Sequence, residues 1–278
     1  MSASANAFRA AALSLSIALV GGFAVAPRPA AAGAFDDPAE REARWGAIAE
    51  AIFKDRKRVD GEGVVGLEAP QRALDAALVP MTLTLSDKTP IKAVYLVIDD
   101  NPAPLAAHFE FGPAADPSRI DLRVRVNVYT NVHAVAEGAD GTLYETVKFV
   151  KASGGCSAPM GMSDEEAMKG IGEMRLKLAQ GEPGEPQRAT LMIRHPNFNG
   201  MQMNQVTRDY TPARYIRTIS VSSGDAKVFD LSTDISLASN PVIGFSYRPQ
   251  GEVKVSVLDS ADARWDKSFP APTAHLGD

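Results

Sequence analysis

Leu122-Arg-Val-Arg-Val-Asn-Val-Tyr129 alternates apolar and polar residues without a break. That is the period-two pattern of a strand with one buried and one solvated face. Upstream, Val79, Met81, Leu83 and Leu85 repeat it, Ile91 to Ile98 is a β-rich run closed by Asp99-Asp-Asn-Pro102, and Ala107 to Phe111 ends at Gly112-Pro113. Downstream, Asn131 to Ala136 and Thr142 to Val150 flank Gly138-Ala-Asp-Gly141, a hairpin signal. After a break at Gly181 to Gln187, Thr190 to Arg194, Tyr215 to Val221, Lys227 to Leu231, Val242 to Tyr247 and Glu252 to Leu258 form a second strand-rich region. Strands at this spacing with few helices predict an all-β chain of two β-sandwiches of about 100 residues each.

Two segments depart from the β pattern. Asp37-Pro38 and Glu40 carry helix-start chemistry, and Trp45, Ile48, Ala49, Ile52 and Phe53 fall on one helical face, so an amphipathic helix precedes the first sandwich. Ser163-Asp-Glu-Glu166 is a capping box; Ala167, Ile171, Met174 and Leu178 follow at helical spacing, which predicts a short helix weakened by Gly170 and Gly172. The expected organisation is therefore a leader over 1–34, a sandwich over 35–152, an arm, helix and linker over 153–186, and a second sandwich over 187–278.

Of the 278 residues, 45% are hydrophobic and 23% charged, a globular composition. The 29 basic residues are scattered among 34 acidic ones, for a formal charge of −5, which argues against a nucleic-acid surface. Arg9, the apolar run Ala10 to Ala26 and the small residues Ala30 to Ala34 read as a cleaved secretory signal. The expected location is then the periplasm, with no membrane attachment after cleavage. Removal of 1–34 deletes Arg9 and Arg28 and takes the formal charge from −5 to −7.

One cysteine, Cys156, excludes an internal disulfide, a cysteine-framed zinc site and an iron–sulfur cluster. It lies in Ser153-Gly-Gly-Cys-Ser-Ala-Pro159, where Gly154 and Gly155 remove side-chain cover and Pro159 stops regular structure. Two readings stay open: an accessible thiol on a mobile arm, suited to carrying a covalent group, and an incidental loop cysteine. Met160 and Met162 beside it, with His195, Met201 and Met203 elsewhere, allow soft-donor Cu(I) binding, although methionines more often fill gaps between packed elements. No metal site or cofactor is expected.

Gly61-Glu-Gly-Val-Val-Gly66 spells a dinucleotide fingerprint, but a charged segment precedes it and no helix opens on its third glycine, so nucleotide binding is not expected. No H-E-x-x-H, G-x-S-x-G or S-x-x-K set is present. A Cys–His hydrolase needs His108, His133 or His195 brought to Cys156 by folding; His133 reads as a half-buried strand residue, and His195 as a loop residue nearer the surface.

Leu67-Glu-Ala-Pro70, Phe111-Gly-Pro113, Ala136-Glu137 with Asp140-Gly141, and the strand entering Gly154-Gly-Cys156 resemble the SoxY sulfur carrier. The region Leu191 to Phe269, with His195-Pro196, Tyr215-Ile216 and Asn240-Pro241, resembles its partner SoxZ. In this order they resemble the fused SoxYZ-like carriers associated with quinoprotein dehydrogenases. The resemblance implies a pair of immunoglobulin-like sandwiches and a carrier that is not an enzyme. It implies that Cys156 is the attachment atom for a sulfur species, with Gly154 and Gly155 giving the arm mobility, and that partner periplasmic oxidoreductases, Sox-type enzymes or a quinoprotein dehydrogenase, act on the cargo. A SoxY arm ends its chain, whereas here Ser157-Ala-Pro159 and a whole domain follow, which shortens the reach of an arm fixed at both ends. The rival expectations are a non-catalytic binding or maturation module for a quinoprotein dehydrogenase, and a Cu(I)-delivery protein.

Overall fold

The computed structural model describes residues 37–179, 184–204 and 207–271. The expected leader at 1–34 lies outside them, as does part of the linker. The described chain runs α1 (Pro38–Phe53), β1 (Arg58–Asp60), β2 (Val65–Glu68), β3 (Val79–Leu85), β4 (Ile91–Ile98), β5 (Leu105–Phe111), β6 (Ala115–Val124), β7 (Thr130–Gly138) and β8 (Leu143–Val150). It continues through α2 (Asp164–Met168), β9 (Met174–Leu178), β10 (Gln187–Ile193), β11 (Ile216–Ser223), β12 (Ala226–Thr233), β13 (Val242–Tyr247), β14 (Val253–Asp259) and β15 (Arg264–Phe269). Among the described residues no helix is long and apolar enough to cross a membrane.

The mostly β expectation holds: the strands form two stacked sheets, and the halves join through both of them. The nine-stranded sheet is ordered β1-β8-β7-β4-β5-β12-β11-β14-β15, and the six-stranded sheet β2-β3-β6-β13-β10-β9. The seam is antiparallel in each, with Phe109 opposite Leu231 between β5 and β12, and Asp121 opposite Gly244 between β6 and β13. Pairing removes four exposed strand edges that separate sandwiches would present. The core crosses with the strands: Phe109 meets Phe229 edge to face at 5.4 Å, and Phe229 meets Phe245 at 5.1 Å, so aromatic contacts add to burial at the join.

Helix α1 forms as read. Asp37 caps it through the Ala39 amide at 2.8 Å, and Trp45, Ala49 and Phe53 are buried. They cover Val97, Val135 and Leu143, the side chains on the face of β4, β7 and β8 that points away from the intersheet core. Trp45 stacks on His133 at 3.7 Å, and that imidazole binds Glu145 through Nδ1 at 2.9 Å and Asp99 through Nε2 at 3.2 Å. His133 is thus buried and structural.

The second predicted helix is corrected. Its cap forms, with Ser163 Oγ accepting from the Glu166 amide at 3.2 Å, but α2 stops at Met168. Gly170 and Gly172 adopt φ of +67° and +85°, which end the helix, and Met174–Leu178 is a strand paired with β10. Met174, Leu176 and Leu178 fit period two as well as a sparse helical spacing, and pairing with a free edge decides between them. The Gly61 to Gly66 stretch turns from β1 into the first residues of β2, with the Val64 and Val65 amides bonding Gly61 O. Gly61 packs against the Glu145 backbone, and no helix follows.

Candidate functional site

The Cys156 arm leaves β8 at Val150 and crosses the end of β6, where loops from both halves converge. Lys151 is held by the Gln71–Ala73 segment, whose backbone bonds it at 2.9 and 3.0 Å. The Gly154 amide then bonds Asn127 O at 2.7 Å, the Gly155 amide bonds Val126 O at 3.2 Å, and Ser157 closes a turn onto Gly154 O. Gly154 has φ of +77°, a conformation glycine reaches without a Cβ penalty. Gly155 lies against backbone: a Cβ there would run into the carbonyl oxygens of Ala76 and Val126. In this conformation the two glycines allow a turn and a close approach, and the arm is seated.

Of the two readings left open for Cys156, neither anticipated a packed sulfur: in this conformation it is 0% exposed. Burial raises its pKa to about 11, with the Arg125 charge pulling the other way. The sulfur is a neutral, protected thiol at neutral pH.

The second half grips the arm by its carbonyls. Asn199 Nδ2 donates to Cys156 O at 2.6 Å, and Gln202 Nε2 donates to Ala158 O at 3.3 Å. Both donors lie on the buried segment His195–Gln202 after β10, which is fixed in turn. Asn197 adopts φ of +45°, donates to Ala238 O at 2.8 Å and accepts from the Ile216 amide at 3.0 Å. The Arg214 amide bonds Phe198 O at 2.8 Å, and Thr211 Oγ1 ties the segment's far end to Asp164 beyond the arm at 2.9 Å.

His195, expected nearer the surface, is fully buried. Its Nδ1 accepts from the Asn197 amide at 3.0 Å, which places the proton on Nε2, 3.5 Å from Asp259 Oδ2; burial lowers its pKa and Asp259 opposes the shift. It shapes the turn that aims Asn197 and Asn199. His108 stacks on Tyr95 at 4.1 Å, and His133 lies under α1. Among the described residues no hydrogen bond joins a histidine to the thiol, since His195 and His133 are held by other partners, so folding does not assemble a Cys–His pair in this state. Met160 Sδ accepts from Ser239 Oγ at 3.4 Å, while Met162 is exposed.

Arg125 was hidden by its pattern. In the alternating stretch it falls on the polar face with Arg123, yet it is 1% exposed because the loop after β12 covers it. Its guanidinium donates to Leu237 O at 2.5 Å, Ile235 O at 3.2 Å, Pro196 O at 3.4 Å and Ser239 Oγ at 2.9 Å. Asn101 fastens the same place, donating to Arg125 O and Ser236 Oγ and accepting from the Asn127 amide.

Residues 49–156 match the family model for sulfur oxidation protein SoxY, and residues 174–270 match that for sulphur oxidation protein SoxZ. No curated protein matches the chain. Among solved structures, the sulfur carrier protein SoxY from Chlorobium limicola f thiosulfatophilum is 24% identical, over 41% of this chain and 96% of that one, with a TM-score of 0.36. The SoxY match ends on Cys156, and the SoxZ match contains Asn199 and Gln202, which hold that cysteine's arm. With both models matched in tandem, the chain belongs to the SoxY–SoxZ sulfur-oxidation carrier family as a fusion of the two.

Proposed function

We propose that this protein is an exported, periplasmic covalent carrier that holds a sulfur species on Cys156 Sγ while partner oxidising enzymes act on it, and that it performs no redox chemistry itself. The observation that carries this reading is the position of the chain's one thiol, at the end of the SoxY match and on an arm held by side chains of the SoxZ match. A carrier needs a group that can be covered between transfers and released for them. Hydrogen bonds to backbone carbonyls suit that task, because each contributes about 1 kcal/mol and can be exchanged for water.

The surroundings of the arm support partner docking there. Ala76 O bonds the Val126 amide beside Gly155, and the loop that carries it exposes Leu74 and Leu78. Tyr129 lies two residues after Asn127, Met162 is on the arm, and Tyr210 adjoins the Thr211 that ties to Asp164; all three are exposed. Five of the seven exposed large hydrophobic side chains among the described residues thus belong to segments at the arm, a bias expected of a contact surface rather than of scattered apolar residues. Partner enzymes of the Sox type, or a quinoprotein dehydrogenase, would meet the thiol here.

The test is Cys156→Ser in the native host, with sulfur-compound oxidation and protein abundance measured together. Loss of oxidation at unchanged abundance is expected; full oxidation by the variant would overturn the carrier role.

A further inference from the structure

Arg125 is the most deeply buried arginine among the described residues, and it is without a carboxylate. Arg44, Arg56, Arg58, Arg188 and Arg214 are all more exposed, and each pairs with an acid. The four hydrogen bonds of Arg125 go to three carbonyls and one hydroxyl, all neutral, and its Nε has no partner. Burying a cation without a counter-charge is costly even when it is well hydrogen-bonded. A brace between β6 and the 235–239 loop requires hydrogen bonds but no charge.

The guanidinium lies under the arm. The residue after it accepts the Gly155 amide, and Ser239 Oγ, which accepts from Arg125 Nη2, also bonds Met160 Sδ, so the arm is attached on both sides of Cys156 to Arg125's immediate surroundings. Burial lowers the Arg125 pKa to about 10, a shift that ionisation of Cys156 would oppose; conversely, burial raises the pKa of the thiol and the Arg125 charge opposes it. With the thiol neutral, the site holds a cation and lacks the anion.

We propose that Arg125 is the counter-cation of the sulfur at position 156: its unpaired buried guanidinium stabilises the ionised sulfur and anionic groups conjugated to it, in preference to neutral or cationic ones. The proposal rests on the carrier reading and adds to it the residue that selects the charge of what is carried.

The experiment compares two disulfide-forming probes on the purified full chain: anionic 2-sulfonatoethyl methanethiosulfonate and its cationic trimethylammonium analogue. In each reaction the Cys156 thiolate attacks the sulfenyl sulfur, a disulfide forms, and methanesulfinate leaves with the electron pair, so no other reactant is needed. Attack follows release of the arm, with the sulfur away from Arg125, so the finished adducts are compared rather than the rates at which they form. Dithiothreitol removes each group once the arm is released and is itself oxidised to its cyclic disulfide, so an adduct held more firmly in the seated arm is removed more slowly. With Arg125 acting on the seated sulfur, the cationic-to-anionic ratio of removal rates should exceed that for the same two disulfides on a short cysteine peptide by roughly tenfold, the size of one partly screened unit-charge interaction at several ångströms. The overall charge of −5 pushes the ratio the other way. The excess should persist in Arg125→Lys and vanish in Arg125→Met, and the anionic adduct should melt at a higher temperature than the cationic one in wild type and Arg125→Lys but not in Arg125→Met. A wild-type ratio at or below the peptide's overturns the proposal with no variant needed, as does a ratio unchanged in folded Arg125→Met. Either result would leave the carrier role standing, since that role is decided separately by Cys156→Ser in the native host.

Discussion

Replacing Asn199 by Ala should expose the thiol without unfolding the protein. The seated arm is held across Cys156 by four hydrogen bonds, from Gly154 to Asn127, Gly155 to Val126, Asn199 to Cys156 and Gln202 to Ala158. At about 1 kcal/mol each, with about 0.8 kcal/mol for the buried cysteine methylene, release of the arm costs about 5 kcal/mol, an open fraction of about one molecule in several thousand. Asn199→Ala deletes one of these bonds and leaves the Cys156 carbonyl without its donor, a loss of about 1–2 kcal/mol. The open fraction, and with it the rate of iodoacetamide alkylation under conditions where release precedes reaction, should rise about 5- to 30-fold. Asn199 Oδ1 also accepts from the Met201 amide at 2.9 Å. Asn199→Asp keeps that acceptor while setting a carboxylate against the Cys156 carbonyl, so it should release the arm at least as well. Intact mass follows the modification, and the urea midpoint controls for global unfolding. Alkylation at the wild-type rate in both variants would refute the grip of the second half on the thiol.

Gly155→Ala forces a Cβ against the carbonyls of Ala76 and Val126, so it should cost about 1–3 kcal/mol by overpacking and make Cys156 reactive to a thiol reagent; a thiol as slow as wild type would contradict the close approach. His133 gives a pH prediction: burial lowers its pKa, but hydrogen bonds to Asp99 and Glu145 and their charges outweigh that and leave it raised. A raised histidine stabilises the fold fully below its unfolded value near 6.5 and loses that contribution as pH rises through the folded value. The melting temperature of wild type should therefore fall relative to that of His133→Gln as pH increases from about 6, and parallel pH profiles would contradict the charged His133 under α1.

Elements governed by local pattern were legible in the sequence. Val79–Leu85, Ile91–Ile98 and Val242–Tyr247 are strands at the expected bounds because alternation and flanking turn residues agree there. The face of α1 was readable from the spacing of Trp45, Ala49 and Phe53. Elements that depend on a distant partner were not. β15, Arg-Trp-Asp-Lys-Ser-Phe, is a charged edge strand whose side chains are mostly exposed, so it lacks an apolar alternation to read. β9 gains its identity from the free edge of β10. The same limit hid the surroundings of the cysteine: Cys156 has loop composition, yet Asn199 holds its carbonyl and Gln202 that of Ala158, from 43 and 44 residues along the chain. Arg125 looks solvent-facing until the second half closes over it. A run with His195, Asn197, Asn199 and Gln202 reads as a polar loop, and only the backbone groups it satisfies show why it is buried.

The most direct test of the carrier role is the intact mass of the protein taken from its native host during sulfur-compound oxidation, prepared without reductant and with any modified residue mapped. The account predicts an added mass on Cys156 that reductant removes and that is absent from Cys156→Ser. A wholly unmodified thiol under those conditions, in a host whose oxidation is indifferent to Cys156→Ser, would contradict it and leave Cys156 a packed residue of the seam.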